Sequence, residues 1–588
     1  MSPTHCIWEL CFIPLPKDGQ KFFGFAEFLA ALALMVLAWT IADVRYRFRV
    51  RTAPIPLQRI TFWVVAAIGI LTLLTDLWRA GGWLVPRGDL LTPALWQAIL
   101  GSTVFLTFIA WVWFAFIRPS IFGPWNAKRY GGELYRAILR GAPIELSEIA
   151  DELGRSAEAL VKCAWQSHER PENFPTTDSP KQPSRTVVAR YNAEAILHLI
   201  ADRQFCKHIV GTASSTIQAF VDEVARQKRY GIPLGIFAKN ITTEAIANRD
   251  SFIYREVSGY YTGYLGHHKP LTNALYGNYS LVDSLGKVFD VDYRERNKWT
   301  PEQWEAFCRI VLMTFKSYVE SGCTWNHPTV LFRAFGDIED SVGDLQNLKE
   351  SDPDWWKRDS VRNLKTVVRF ATDAAEILDS HKGDEVPVKL RRKPEDFNMD
   401  VYDLVAKLMY EMIDRASYVT ASKWMCWSVQ HNDVWGELFG RLGHEGKASK
   451  IIRHKVRRLV YAEIQRMSNF PNFQGARILG LVLNISGLQV DSKSRSSTAL
   501  QKAAINWTKR HYAAMAQASP KVAQACLVEG ITYDVKAAQL VRTGMEFLDR
   551  EPSRNVLALD PPQATRNPRV GQLNGPRRRK LPRARLFG

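Results

Sequence analysis

The sequence predicts a mainly α-helical protein: three transmembrane helices near the N-terminus, then a large, mostly helical cytosolic domain with a small β-containing insert near 230–296. Three observations carry this. Apolar residues are concentrated between 22 and 117, residues 44–59 between the first two apolar stretches hold five arginines and no acid, and the chain after 118 is mostly amphipathic at helical spacing. At 588 residues the chain exceeds what one core can serve.

A helix needs about 20 apolar residues to cover ~30 Å of hydrocarbon. Residues 22–42 supply 21 with one charge, 60–77 supply 18 with one acid, and 95–117 supply 23 with none. A cleaved signal peptide is not expected, because no basic region lies close before the first stretch and no small-residue cleavage pattern follows it. Arg45, Arg47, Arg49, Arg51 and Arg59 occupy the first connection; the second has only Arg79 and Arg87 with Asp89. Positive charge stays in the cytosol, so the short 1–21 segment lies outside and the large C-terminal domain inside, as suits a bacterial inner membrane. Trp78, Trp83 and Trp96 then sit near the outer interface and Trp125 near the inner one.

This topology places Glu27, Asp76 and Gln97 in the outer third of their helices. Polar groups at one depth line a vestibule in an oligomer, or else each stays wet near the headgroups. Ser102, Thr103 and Thr107 lie mid-span and serve the backbone.

Beyond the 22–117 segment, 118–167 reads as a helical hairpin region and 168–186, with four prolines, as a linker. A helical domain over 187–381 carries the aromatic, glycine-broken stretch 230–296, where a short sheet or an aromatic-rich loop region is expected. A charged loop, 382–398, precedes a second helical domain over 399–550. Helices are expected at 145–166, 188–204, 212–229, 302–320, 360–381, 400–418, 446–467 and 497–517. Thr300-Pro301-Glu302-Gln303 supplies a capping box for one of them. The tail 551–588, rich in proline and basic residues, is expected to be disordered.

The formal charge of +18 implies an anionic partner, either lipid headgroups or nucleic acid. Lys450, Arg453, Lys455, Arg457 and Arg458 on the 446–467 helix, with Arg577, Arg578, Arg579 and Lys580 in the tail, are the candidate contacts. For a membrane-anchored chain lipid is the nearer partner. Residues 145–162 fit a helix-turn-helix spacing, with Ala150 at the crossing, Gly154 at the turn, Ser156 as cap and Leu160 as the buried contact. Plain helical hairpins share that pattern. The abundant tryptophans read as core, or as anchors for a protein partner.

No catalytic motif is present, so enzymatic chemistry would need a dispersed site, and catalytic residues and cofactors stay unassigned. His267-His268, Cys323 with His327, His431 with Asp433, His444-Glu445 and Cys206 with His208 lack metal-ligand or nucleophile–base spacing. The eight cysteines contain no C-x-x-C pair, which excludes zinc-ribbon and iron–sulfur patterns; Cys6 and Cys11 fall outside, where a disulfide is chemically allowed. The function expected is a membrane sensor or effector whose cytosolic domain binds a partner or ligand and controls the transmembrane segment. A conducting state would need a homo-oligomer. The alternatives are a membrane-tethered nucleic-acid binder and an enzyme with a dispersed site.

Overall fold

The computed structural model describes residues 5–7, 10–14, 21–41, 43–86, 92–166, 184–257, 270–322, 328–348, 354–381, 400–420, 422–441, 446–489, 499–528, 530–543 and 554–561. They are mainly helical. Two compact units are formed, one from Met1–Gly343, Trp356–Met412 and Glu437–Arg453, the other from Asp344–Trp355, Ile413–Gly436 and His454–Gly588.

The first unit begins with a three-stranded antiparallel sheet of β1 (His5–Ile7), β2 (Leu10–Pro14) and β3 (Leu84–Pro86), in the order β1-β2-β3. Cys6 and Cys11 are register partners across β1 and β2. Four helices follow the hairpin: α1 (Phe25–Ile41), α2 (Val44–Arg51), α3 (Leu57–Ala80) and α4 (Pro93–Val112), the last continuing through a π-type turn to Ile117. Two helices are long and apolar enough to cross a membrane, Leu57–Ala80 and Pro93–Ile117. The third expected span is not met by length, since α1 has 17 residues, about 26 Å of rise. It starts at Phe25 because the backbone N–H groups of Phe22 and Phe23 bond to Gln97 instead of entering a helix.

Only 17% and 22% of the two spanning windows is covered by protein, so Phe62, Trp63, Ile70, Phe105 and Leu106 face outward. Apolar surface this continuous is costly to expose to water and suits association with an apolar surround. Between the helices Phe28, Met35, Ile68, Leu100 and Val104 interlock. Gly69 is needed there, since a Cβ would lie 2.9 Å from the Phe28 ring. A separate cluster of Val50, Ala53, Leu57, Trp111 and Ala115 closes the other end.

Next come α5 (Ala127–Arg140), α6 (Pro143–Arg155), α7 (Ala157–Cys163), α8 (Arg185–Leu199), α9 (Arg203–Thr212) and α10 (Ser214–Gln227). Gly141, at φ +65°, ends α5 in the left-handed conformation that glycine adopts without cost. Among the described residues of the 230–296 stretch no strand is found: 230–257 and 270–296 hold helices such as Gly235–Ala247, Pro270–Tyr276 and Tyr279–Leu285, and 258–269 lies outside the described residues. Their β-favouring side chains fill a helical core, where the rings of Tyr276 and Phe289 stack 6.0 Å apart and Phe289 meets Phe307 edge-on at 5.8 Å. Packing overrides strand propensity here. The helices Pro301–Glu320, Thr329–Asp340 and Asp359–Ser380 carry the rest of this core through Phe315, Phe335 and Phe370. The expected capping box is present, with the Thr300 N–H donating to Gln303 Oε1 at 2.9 Å.

The second unit packs helices Phe473–Ser486, Ala499–Ala518 and Pro520–Ala525 with a three-stranded antiparallel sheet: β4 (Ile531–Asp534), β5 (Gln539–Thr543) and β6 (Arg554–Ala558). β6 corrects the expectation of disorder from 551 onward. Its N-V-L-A run pairs Val556 with Val541 and Leu557 with Leu540, which buries Leu540, Val541 and Leu557 despite the flanking prolines. The rest of the tail, 562–588, lies outside the described residues.

Candidate functional site

Glu27, Asp76 and Gln97 are brought together at one end of the apolar helices. A helix start exposes four backbone N–H groups without partners, which is costly away from water. Here Gln97 Oε1 accepts from Phe22 N at 2.9 Å and Phe23 N at 3.4 Å, Glu27 Oε2 from Gly24 N at 2.9 Å, and Asp76 Oδ2 from Phe25 N at 3.0 Å. Glu27 and Asp76 cap the start of α1 and Gln97 holds the residues just before it, with Asp76 contributed by α3 and Gln97 by α4. The carboxylates also complement the positive end of the helix dipole. A Cβ on Gly24 would meet Asp76 Oδ2 at 3.0 Å and Glu27 Oε2 at 3.2 Å, so both acids converge on one backbone site. Lys21 Nζ lies 3.9 Å from Asp76.

At the opposite end the arginine-rich connection folds as α2. The i, i+4 spacing puts Arg45 and Arg49 on one face, and Glu148, Asp151 and Glu152 share a face of α6 for the same reason. The two faces meet. Arg45 Nη2 lies 2.8 Å from Glu148 and 2.9 Å from Asp151. Arg49 Nη2 donates to Glu152 Oε1 at 2.5 Å with both side chains buried, and its Nη1 donates to the Ala115 carbonyl at 3.0 Å. One guanidinium thus joins α2, the end of the Pro93–Ile117 helix and α6. Burial pulls the Arg45 pKa down, but Glu148, Glu152 and Asp151 outweigh it and hold it above the usual value. Tyr130, pushed up by burial, donates to Ser156 Oγ at 3.0 Å behind this junction. Arg45 and Arg49 were read from sequence only as topology markers, and Glu148, Asp151 and Glu152 were not singled out. The matching spacings were the available signal.

The helix-turn-helix-like residues form a hairpin of α6 and α7. Ala150, Ser156 and Leu160 are fully buried, and Gly154 abuts Thr216 of α10, whose hydroxyl donates to the Ala150 carbonyl at 2.8 Å. α7 has seven residues and exposes Glu158 and Lys162, leaving little cationic surface to read a duplex. On the basic helix, Lys447–Arg466, Lys450 and Arg458 are exposed, Arg453 and Arg457 half-buried and Lys455 buried. They do not form one solvent-facing stripe. Arg577, Arg578, Arg579 and Lys580 lie outside the described residues, as do His267-His268, Cys323 with His327, and His444-Glu445.

In the second unit the His431 ring stacks on Trp427 at 4.1 Å, and Arg542, its pKa lowered by burial, lies 5.9 Å from the same indole. Asn484 Nδ2 donates to Gln430 Oε1 at 3.0 Å in that buried polar chain. Cys206 is buried and its thiol is pushed up by that burial, so it carries no thiolate chemistry.

A polar cleft of about 430 Å³ opens in the first unit beside Lys239, Asp290, Asp292, Arg296, Arg333 and Asp337. Arg296 is buried and paired with Asp337, and burial raises the Asp337 pKa against that pairing. Mixed charges of this kind suit a small polar ligand. Among the described residues no group of three or more His, Cys, Asp and Glu is placed to hold a metal ion. No family model, curated protein or solved structure matches the chain.

Proposed function

We propose that the chain is an integral membrane sensor or effector in which the helical domain binds a partner or ligand and sets the state or assembly of the apolar helices. In this reading α1 crosses the membrane together with α3 and α4, with the N-terminus outside and the large domain in the cytosol. The capping of α1 by residues of α3 and α4 supports a bundle of three, as does the β1-β2-β3 sheet, which ties the chain before α1 to the chain after α3. The single observation that carries the control function is the Arg49–Glu152 pair with its bond to Ala115. Any displacement of α6 is felt at once by the α1–α3 connection and by the end of the third apolar helix. The polar cleft is the candidate ligand site. Three helices enclose no conventional pathway, so conduction would require several chains in closed symmetry.

The test is release of a small dye from liposomes containing the full-length protein, together with its detergent-corrected mass by light scattering. Arg49→Gln and Glu152→Gln are expected to change release severalfold or shift the oligomer. If both variants match the wild type in release and mass, the junction does not govern the apolar helices and the reading falls.

A further inference from the structure

We infer that α5 and the start of α6 form a docking surface for anionic lipid headgroups of the leaflet facing the helical domain. The inference rests on the membrane reading above and adds a site to it. Asn126 Nδ2 donates to the Thr52 carbonyl at 2.8 Å and Arg129 bonds to the Pro54 carbonyl, so α5 is fastened to the turn that immediately precedes α3. That places the helix at the level where the hydrocarbon begins.

Its outward side is unlike a solvated helix face. Tyr135 and Leu139, one turn apart, are 52% and 66% exposed, and Ile144, just past the Gly141 turn, is 78% exposed. Beside them a narrow cleft between α2, α5 and α6 is lined by Arg47, Arg51, Arg136 and Arg140, with only Glu133 and Glu145 as acids. Glu133 is shared by Arg51, at 3.4 Å, and Arg136; Glu145 lies 3.6 Å from Arg140. Arg47 has no ion-pair partner among the described residues, so the cleft keeps a surplus of positive charge at its mouth.

Apolar side chains rimmed by guanidinium groups are the pattern of an interfacial helix, whose body enters the acyl boundary while its cations hold phosphate. Charge complementarity and continuity with the apolar helices select lipid phosphate as the occupant. A cytosolic anion would use the same arginines but would leave Tyr135, Leu139 and Ile144 in water.

The experiment is hydrogen exchange of the full-length protein in nanodiscs of phosphatidylcholine alone or mixed with phosphatidylglycerol, read on peptides covering 134–146. Exchange should slow on adding the anionic lipid, and Arg47→Gln with Arg136→Gln and Arg140→Gln should abolish that slowing, each arginine favouring contact roughly fivefold. Inorganic phosphate added to the neutral nanodiscs should leave exchange unchanged. Equal exchange of the wild type in both lipids overturns the proposal without touching membrane insertion, and needs no variant to fold. Protection by inorganic phosphate overturns it in favour of a soluble anion. Failure of the chain to enter nanodiscs at all overturns both this site and the membrane reading.

Discussion

The two ends of the apolar helices meet the same physical demand in different ways. At the Phe25 end the polar groups to be satisfied are backbone N–H donors, and their acceptors Glu27, Asp76 and Gln97 come from within the apolar segment. At the Arg49 end they are guanidinium groups, and the acceptors Glu148, Asp151 and Glu152 come from α6, about a hundred residues further on. The first arrangement closes the segment on itself. The second makes its geometry depend on another part of the fold, which in the proposed reading is what would let that end carry a signal.

The contrast can be broken or sharpened by substitution. Glu152→Ala strands the buried Arg49 and should destabilise the full-length protein by about 3–5 kcal/mol, read as a large fall in the thermal midpoint in detergent. Gln97→Leu leaves the Phe22 and Phe23 N–H groups without their acceptor, at a cost of about 1–3 kcal/mol, and should speed hydrogen exchange at 22–28 while leaving 143–155 unchanged. Equal exchange changes at both ends would show that the ends are not independent. Gly24→Ala should cost about 1 kcal/mol by pushing the Asp76 and Glu27 carboxylates off their donors.

The smallest effect is expected remote from both ends. The Arg362 guanidinium, backbone N–H groups and Thr300 hold the Glu302 carboxyl down at about 2. Because the folded value lies below the unfolded one, the stabilisation is present above about pH 4.5 and fades as pH falls toward 2. The pair is half-exposed, so screening leaves it worth less than about 1 kcal/mol. Glu302→Gln should therefore lower stability slightly at pH 7, with the gap to wild type closing near pH 2.

Much of this fold is legible in the sequence. Pro301–Glu320, Asp359–Ser380, Val401–Ser417 and Lys447–Arg466 lie within about a residue of where apolar periodicity and the Thr300 cap put them. The failures have specific causes. Aromatic and β-branched residues in 237–253 and 271–289 read as strands because propensity is local, whereas their burial among neighbouring helices is not. β6 hid in a proline-rich stretch because three apolar residues in a row are a weak signal without the partner strand in view. The matching depth of Glu27, Asp76 and Gln97 was readable from hydropathy alone. Their common partner, the start of α1, was not, because nothing in a linear reading shows which backbone donors lack acceptors.

That capping has a consequence for how the protein is made. The acceptors for Phe25 and Phe22 lie 51 and 75 residues further along the chain. At roughly 5–20 residues per second, α1 emerges from the ribosome several seconds before Gln97 exists. Until then its leading end carries amides without their acceptor, which in the proposed membrane reading keeps α1 from settling in the bilayer by itself. In that reading a nascent chain stopped before residue 57 should be extractable by alkali where one stopped beyond 117 is not.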